Sequence, residues 1–386
     1  MSKPFLLILS ASGGSGHIRA GDALLQAAHR HRASLRAEHF DCLDFTTPLF
    51  KRLYAGTYHQ MINHMPEVWG YFYERTEATT RVKKGMLQLF DRFNYQRYLH
   101  EVLRRKPDAL VCTHFVAYRS ISEELRRRKI PIPVFAVTTD FDAHQYWVDP
   151  VVSRYYVHTA ESAWQLHSKN VPADLIRVTG IPVGPAFAKP LTQKKARQQA
   201  RIPGDRFTVL IVAGGAGVGR VEEVVAHVAS VLQHTSRRSF TLAVVCGTNQ
   251  GLKSRLEKFP FAANIQPRIL GFLNNIDVWM GAADVLISKA GGLTSAEAMA
   301  RSLPMIVVNP IPGQETRNAD IIVEHGAGWK ALNFGNLMYK LVRVLDQPET
   351  LRRARQATRA LGQPAAASTI IGDVMKHLKR HPREKT

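Results

Sequence analysis

Ser288-Lys-Ala-Gly-Gly-Leu-Thr-Ser-Ala-Glu-Ala298 is followed by Leu303-Pro-Met305 and then by Pro312-Gly-Gln-Glu-Thr-Arg-Asn318. Its lead-in, Asp284-Val-Leu-Ile-Ser288, is a short apolar run that reads as a buried strand. The strand enters a glycine turn and then a helix whose start carries Thr294, Ser295 and Glu297. Such a junction suits an anion. Gly291 and Gly292 let the backbone come close, and the helix N-terminus presents N–H groups that have no partner inside the helix. Glu297, one turn in, is placed for ribose hydroxyls. The next strand, 304–309, opens into a loop with Gln314, Glu315 and Asn318, groups that hydrogen-bond sugar hydroxyls. Any one of these residues reads equally well as part of a capped strand-to-helix connection; their order is what describes a sugar-nucleotide pocket.

Outward from this stretch, strands and helices alternate. Strands are expected over 5–10, 36–41, 109–112, 134–137 and 155–158, with helices over 16–32 and 117–129. Glycine and proline cluster in Thr179-Gly-Ile-Pro-Val-Gly-Pro185, which reads as the end of a first domain. A second series follows: strand 208–213, glycine loop 214–219, helix 220–234, strand 241–246, helix 250–258, an extended 265–272 and helix 277–283. The expected class is α/β, with two doubly wound Rossmann-like domains over 1–182 and 183–347, then a helical, basic stretch over 348–386.

With 386 residues, 45% of them hydrophobic, the chain can bury two cores. No run of about 18 or more apolar residues, the length a spanning helix needs, is present. Phe5-Leu-Leu-Ile-Leu9 is too short for a signal peptide and reads as a first strand. Cys42, Cys112 and Cys246 stand apart without CxxC spacing, which argues against disulfides and structural zinc and fits a reducing cytoplasm. Lys and Arg number 52 against 31 acids, a net charge of +21. The excess concentrates in 81–106 (eight against two) and 352–386 (nine against two), the mark of an anionic partner or a solvated basic face.

Residues 45–98 hold twelve of the 33 aromatics, among them Trp69, interleaved with Arg81, Lys83 and Lys84. A lipid-facing lobe needs rings at headgroup level and cations for anionic lipid. The same rings could instead form the core of a helical subdomain.

Two further sites follow from the N-terminal half. Ser10-Ala-Ser-Gly-Gly-Ser-Gly-His-Ile-Arg-Ala20 is neither GxGxxG nor a P-loop, so neither a dinucleotide nor ATP is expected, and Asp41 alone does not restore the former. It places His17 at a helix start on the carboxyl edge of the sheet, where the neutral imidazole is favoured and suits a general base. Val137-Thr-Thr-Asp-Phe-Asp-Ala-His-Gln-Tyr-Trp147 sets Asp140 just after a buried strand, with Asp142, His144 and Trp147 in the loop. Asp140 is either the base itself or the partner that orients His17; Thr139 or Asp140 could also simply cap a helix.

These blocks, together with Pro66-Glu-Val-Trp-Gly70 and in this order, resemble the monogalactosyldiacylglycerol synthase and processive diacylglycerol glucosyltransferase family over about residues 5–345. The C-terminal motifs resemble those of GT-B enzymes that make peptidoglycan lipid intermediates. One departure is Gly-Gly-Ser-Gly-His, where the family has an unbroken glycine run; serine still fits a turn. The resemblance implies a GT-B fold, two domains facing a cleft with a C-terminal helix crossing back to the first. It implies inverting transfer of a hexose from UDP-glucose or UDP-galactose to the hydroxyl of diacylglycerol, with no metal and no other cofactor. In keeping with that, no DxD-type acidic pair lies beside the donor segment. It further implies donor contacts from Gly214, Gly215, Gly217, Asn249, Phe272, Ser288, Lys289, Gly291, Gly292, Thr294, Glu297, Gln314, Glu315 and Asn318. Acceptor contacts would come from Gly14, His144 and Trp147, and membrane contacts from Trp69, Arg81, Lys83 and Lys84, on the cytoplasmic face of the cell membrane. Competing readings are N-acetylglucosamine transfer to a polyprenyl-linked acceptor, UDP-sugar epimerisation, and a non-catalytic basic protein. A nucleic-acid partner is not expected, because zinc spacing and an RRM-like aromatic signature are both missing.

Overall fold

A computed structural model of the chain describes residues 3–12, 14–47, 92–214, 220–235 and 239–381. The lobe carrying Trp69, Arg81, Lys83 and Lys84 lies outside the described residues, as do Gly215 and Gly217. Two compact units are present: residues 1–185, 312–314 and 363–386 form one, and residues 186–311 with 315–362 form the other.

Unit 1 is built on β1 (Phe5–Ser10), β2 (Arg36–Asp41), β3 (Ala109–Cys112), β4 (Val134–Val137), β5 (Val152–Val157) and β6 (Ile176–Val178). All pairings are parallel, in the order β2-β1-β3-β4-β5-β6. Its helices include α1 (Ser15–His29), α2 (Arg92–Arg104), α3 (Phe115–Arg127) and α4 (Ala160–Ser168). Unit 2 carries α5 (Gln193–Ala200), β7 (Phe207–Val212), α6 (Val221–His234), β8 (Phe240–Val245), α7 (Gln250–Glu257) and β9 (Ile265–Leu270). It continues with α8 (Ile276–Ala282), β10 (Val285–Ser288), α9 (Gly292–Ala300), β11 (Met305–Val308), α10 (Gln314–Glu324), β12 (Gly328–Ala331), α11 (Phe334–Asp346) and α12 (Pro348–Leu361). Its sheet is also parallel, in the order β12-β11-β10-β7-β8-β9.

β1 shows why the central strands read as unbroken apolar runs. Phe5, Leu7 and Leu9 face one side, packed with Tyr98, Leu99 and Val102 of α2 and Ile121 and Leu125 of α3. Leu6 and Ile8 face the other, against Ala23, Leu24 and Ala27 of α1. A strand covered on both faces has no polar side to alternate with. Burying a leucine or isoleucine is worth about 1.5–3 kcal/mol, enough to offset the roughly 1–2 kcal/mol of ordering each backbone residue.

The terminal helical stretch is two helices with different allegiances. α12 stays in unit 2, where Thr358 Oγ1 lies 2.7 Å from the Ala354 carbonyl and 3.0 Å from the Ala327 carbonyl. The last helix, α13 (Ala366–Arg380), belongs to unit 1, burying Ile370, Ile371 and Val374 on the α1 side of the sheet. Asp373 anchors it, accepting from Arg154 Nη1 at 2.7 Å and Tyr156 Oη at 2.8 Å on β5. Burial works against the Asp373 charge, but those two donors outweigh it and hold its carboxyl below the ordinary range.

Some element ends differ from expectation. The first helix stops at His29 rather than 32, because 30–34 fold into a turn closed by Ser34 N–H to the His31 carbonyl, 2.8 Å. The strand expected over 155–158 begins at Val152, where pairing with β4 starts. Cys42, Cys112 and Cys246 are free and buried.

Candidate active site

In a doubly wound sheet, ligands gather outside the carboxyl ends of the strands, where the strand order reverses. In unit 1 that point lies between β1 and β3; in unit 2 it lies between β7 and β10.

At the unit 1 switch point stands His17, in the first turn of α1. Its Nδ1 lies 3.1 Å from the Thr113 carbonyl and 2.7 Å from Thr139 Oγ1. A carbonyl only accepts, so Nδ1 carries the proton and the neutral ring keeps its lone pair on Nε2. The ring of His114 stands edge-on to His17, centroids 4.5 Å apart. Burial lowers the His17 pKa from its ordinary value, while the Asp140 carboxylate and the Thr113 carbonyl pull it back up. His114 is held well below the histidine range by burial, reinforced by His17, so it stays neutral. Its Nδ1 accepts from Val116 N–H at 3.1 Å, capping α3.

Sequence reasoning named His17 and Asp140 but missed Thr113 and His114, and it read Thr139 only as a possible cap. The available signal was position: Thr113-His114 directly follows the apolar β3, as Gly14 and His17 follow β1. Asp41 is occupied elsewhere, accepting from Ser12 N–H at 3.2 Å and Leu43 N–H at 3.0 Å. Gly14 stands in extended backbone as the N-cap of α1, with open space where a side chain would go.

Two of the residues expected at the acceptor are buried. Trp147 is buried in the core of unit 1, edge-on to Phe115 at 5.8 Å. His144 is buried too, its Nδ1 accepting from Tyr146 N–H at 3.1 Å. Burial of both side chains shapes the loop after Asp140.

In unit 2, the turn after β7 passes through Gly214 at φ +78°, a left-handed conformation that favours glycine. A small cavity of about 30 Å³ lies at this switch point, lined among others by Ala213, Arg220, Ser288, Lys289 and Asn309. The Ser288 hydroxyl is spent inside the sheet, donating to the Val212 carbonyl at 2.9 Å. Gly291 is the N-cap of α9, and no side chain among the described residues caps that helix. Thr294 is half-buried and Glu297 buried. Buried Asn318 donates to the Ala290 carbonyl at 3.0 Å and so holds the turn from behind. Glu315, in the first turn of α10, accepts from Ile311 N–H through Oε2 at 2.7 Å, and its Oε1 faces Gly291. Gln314 begins the same helix. Asn249 Oδ1 accepts from Leu252 N–H at 2.9 Å, capping α7. Phe272 is 60% exposed beyond the end of β9.

Residues 17–183 match the family model described as monogalactosyldiacylglycerol (MGDG) synthase, and residues 208–370 match the glycosyltransferase family 28 C-terminal domain. The chain thus carries a monogalactosyldiacylglycerol synthase domain followed by a glycosyltransferase family 28 C-terminal domain. A processive diacylglycerol beta-glucosyltransferase of Staphylococcus carnosus (strain TM300) is 27% identical over 350 residues, 89% of this chain and 85% of that protein. A protein of the same name from Staphylococcus aureus (strain MRSA252) is 26% identical over 332 residues, covering 84% and 80%. Among solved structures, Acinetobacter baumannii MurG superposes with a TM-score of 0.63 at 17% identity, covering 97% of this chain and 99% of that one. The calicheamicin glycosyltransferase CalG4 does so with a TM-score of 0.60 at 16% identity, covering 99% and 100%. The fold is GT-B, two parallel six-stranded sheets each dressed with helices.

Proposed function

We propose that the chain transfers a hexose from a UDP-sugar to the hydroxyl of diacylglycerol, inverting the anomeric centre. The observation that carries this reading is the His17 imidazole, its Nδ1–H committed to the Thr113 carbonyl and its Nε2 lone pair left for a substrate proton. The acceptor O–H gives its proton to Nε2 as its oxygen bonds to the anomeric carbon. The bond from that carbon to the diphosphate breaks on the opposite face, and UDP leaves. Charge growing on the diphosphate is met by the N-terminus of α9 and by Lys289, so the step is written without a divalent cation. Gly214, Gly215, Gly217, Asn249 and Phe272 are proposed to complete the nucleotide site, and Thr294, Glu297, Gln314, Glu315 and Asn318 the sugar site.

The named relatives are glucosyltransferases, so UDP-glucose is the first donor to test and UDP-galactose the second. Purified chain, each donor and diacylglycerol vesicles should yield a glycosylated diacylglycerol by mass spectrometry. Transfer of N-acetylglucosamine to a polyprenyl-linked acceptor instead, or conversion of the UDP-sugar with no lipid present, would overturn the reading.

The enzyme is further proposed to act at an anionic membrane surface as a peripheral protein on the cytoplasmic face. Among the described residues no helix is long and apolar enough to cross a membrane. Part of the basic excess is already neutralised locally: Arg104 and Arg105 both pair with Glu101, and Arg352 and Arg353 with Glu349. Arg81, Lys83 and Lys84, clustered in the sequence beside the aromatics of 45–98, carry the prediction. Their joint replacement by Gln should weaken binding to phosphatidylglycerol-containing vesicles about tenfold at low salt, and the difference should shrink as salt shortens the Debye length to about 8 Å. Equal binding of the wild type to neutral and anionic vesicles would sink it.

A further inference from the structure

Behind the His17 turn runs a second line of polar groups that the proposed transfer leaves unused. His39, on β2, is engaged at both ring nitrogens: Nδ1 lies 2.8 Å from the Asp22 carboxylate and Nε2 lies 2.7 Å from Ser10 Oγ. Ser10 Oγ is also 2.7 Å from Thr113 Oγ1 and 3.2 Å from the His17 carbonyl. Thr113 Oγ1 reaches the same carbonyl at 2.9 Å, while the Thr113 carbonyl holds the His17 ring. A continuous chain thus runs from Asp22, half exposed, to both the backbone and the imidazole of His17.

The connectivity Asp–His–Ser is that of a nucleophile with its base. Accessibility decides against that use: Ser10 is fully buried, and its oxygen already has three polar neighbours. What remains is positioning. Asp22 can only accept, so His39 Nδ1 donates to it. The His17 carbonyl can only accept, so the Thr113 O–H donates to it, and the Ser10 O–H donates to Thr113 Oγ1. Each hydroxyl has one proton, and the chain gives each a defined direction.

Two features show that the backbone is arranged around this chain. α1 has no side-chain cap, so its first turn lacks the usual local restraint. Gly21, one turn after His17, lies directly over the Ser10–His39 bond, where any Cβ would overlap His39 Nε2 and Ser10 Oγ. Only glycine lets α1 come this close.

We propose that Asp22, His39 and Ser10 are positioning residues, setting where the His17 imidazole stands by fixing its backbone carbonyl through Ser10 and Thr113. The proposal rests on the reading of His17 as the base, and its test separates the two. Full-length protein labelled with ¹⁵N-histidine, with the His17 signals assigned by His17→Gln, would be compared with Ser10→Ala, His39→Leu and His39→Gln. The His17 ring nitrogen resonances should shift in Ser10→Ala and His39→Leu. They should return towards wild type in His39→Gln, whose amide reaches the position of Nε2. With diacylglycerol and UDP-hexose, kcat should fall about ten- to a hundredfold in the first two and recover in the third, with donor KM unchanged, since small displacements of a reacting group cost that much. Asp22→Asn, a half-exposed site that tolerates change, should move the same resonances less and keeps the test open if Ser10→Ala does not fold. His17 resonances unmoved in folded Ser10→Ala and His39→Leu, or a His39→Gln no closer to wild type than His39→Leu, would overturn the proposal. Shifted resonances with unchanged kcat would uphold the positioning chain and remove His17 from its role as base.

Discussion

His17→Ala is expected to lower kcat by at least about a hundredfold at saturating donor, with the fold intact. An alcohol has a pKa far above neutrality, so its attack on the anomeric carbon needs a proton acceptor within hydrogen-bond reach. His17 meets the two structural requirements of that acceptor: a fixed tautomer and a ring held from behind by Thr113 and Thr139. The position is half-buried in the first turn of α1, and the imidazole adds little to the core, so truncation removes chemistry rather than packing. Asp140 tests the assignment from the other side. Burial is the largest influence on the His17 pKa and lowers it; the Asp140 carboxylate raises it. A base works deprotonated, so kcat/KM should fall on the acid side through a pKa below about 6.5, the ordinary histidine value. Asp140→Asn removes the charge that favours imidazolium, so that limb should move to still lower pH, with a modest loss in kcat. If instead His17→Ala keeps kcat near wild type and Asp140→Asn loses several orders of magnitude, Asp140 is the base.

Strands such as Phe5–Ser10 and Phe240–Val245 were legible because each is an apolar run buried throughout. The short, partly exposed β6 and β12 carried no such signal, and strand ends were less legible because turns and pairing set them. Phe5–Ser10 needed no tertiary information; the start of β5 at Val152 did, because pairing with β4 defines it. The site was legible only in part for a related reason. Glycine followed by histidine marks His17 along the chain, but Thr113 and Thr139 lie 96 and 122 residues away and arrive only through the strand order. That order follows from packing of whole layers, which local pattern does not encode. His144 and Trp147 show the converse. Both are residue types that advertise a site, and both are buried, which is not a property of the residue type. The His39–Ser10 bond was hidden for the same reason: it joins β2 to β1 beneath a helix whose closeness depends on Gly21.

Glu315→Ala is expected to lower kcat/KM for UDP-hexose about ten- to a hundredfold, and the loss should trace to the sugar rather than the nucleotide. One carboxylate oxygen accepts from Ile311 N–H at 2.7 Å, which fixes the side chain at the start of α10. The other faces Gly291 at the N-terminus of α9, the turn assigned to the diphosphate. A carboxylate so held accepts hydroxyl protons without first losing side-chain freedom, and hydrogen bonds to a charged group are worth about 1.5–3 kcal/mol. Gln314→Ala, which removes an uncharged partner, should cost less, about 0.5–1.5 kcal/mol. The competing possibility is that Glu315 merely braces the loop through Ile311. Calorimetry separates them. If Glu315 meets the hexose, Glu315→Ala should bind UDP as the wild type does and UDP-hexose more weakly. If it only braces the turn, both ligands should weaken together, because the diphosphate would feel the loosened loop as much as the sugar. Glu315→Gln sharpens the comparison: its amide oxygen still accepts from Ile311 N–H and preserves the brace, while an NH₂ replaces the second acceptor. UDP affinity should therefore be retained in Glu315→Gln while the preference for UDP-hexose over UDP is reduced, and retention of the full preference would exclude Glu315 from the sugar site.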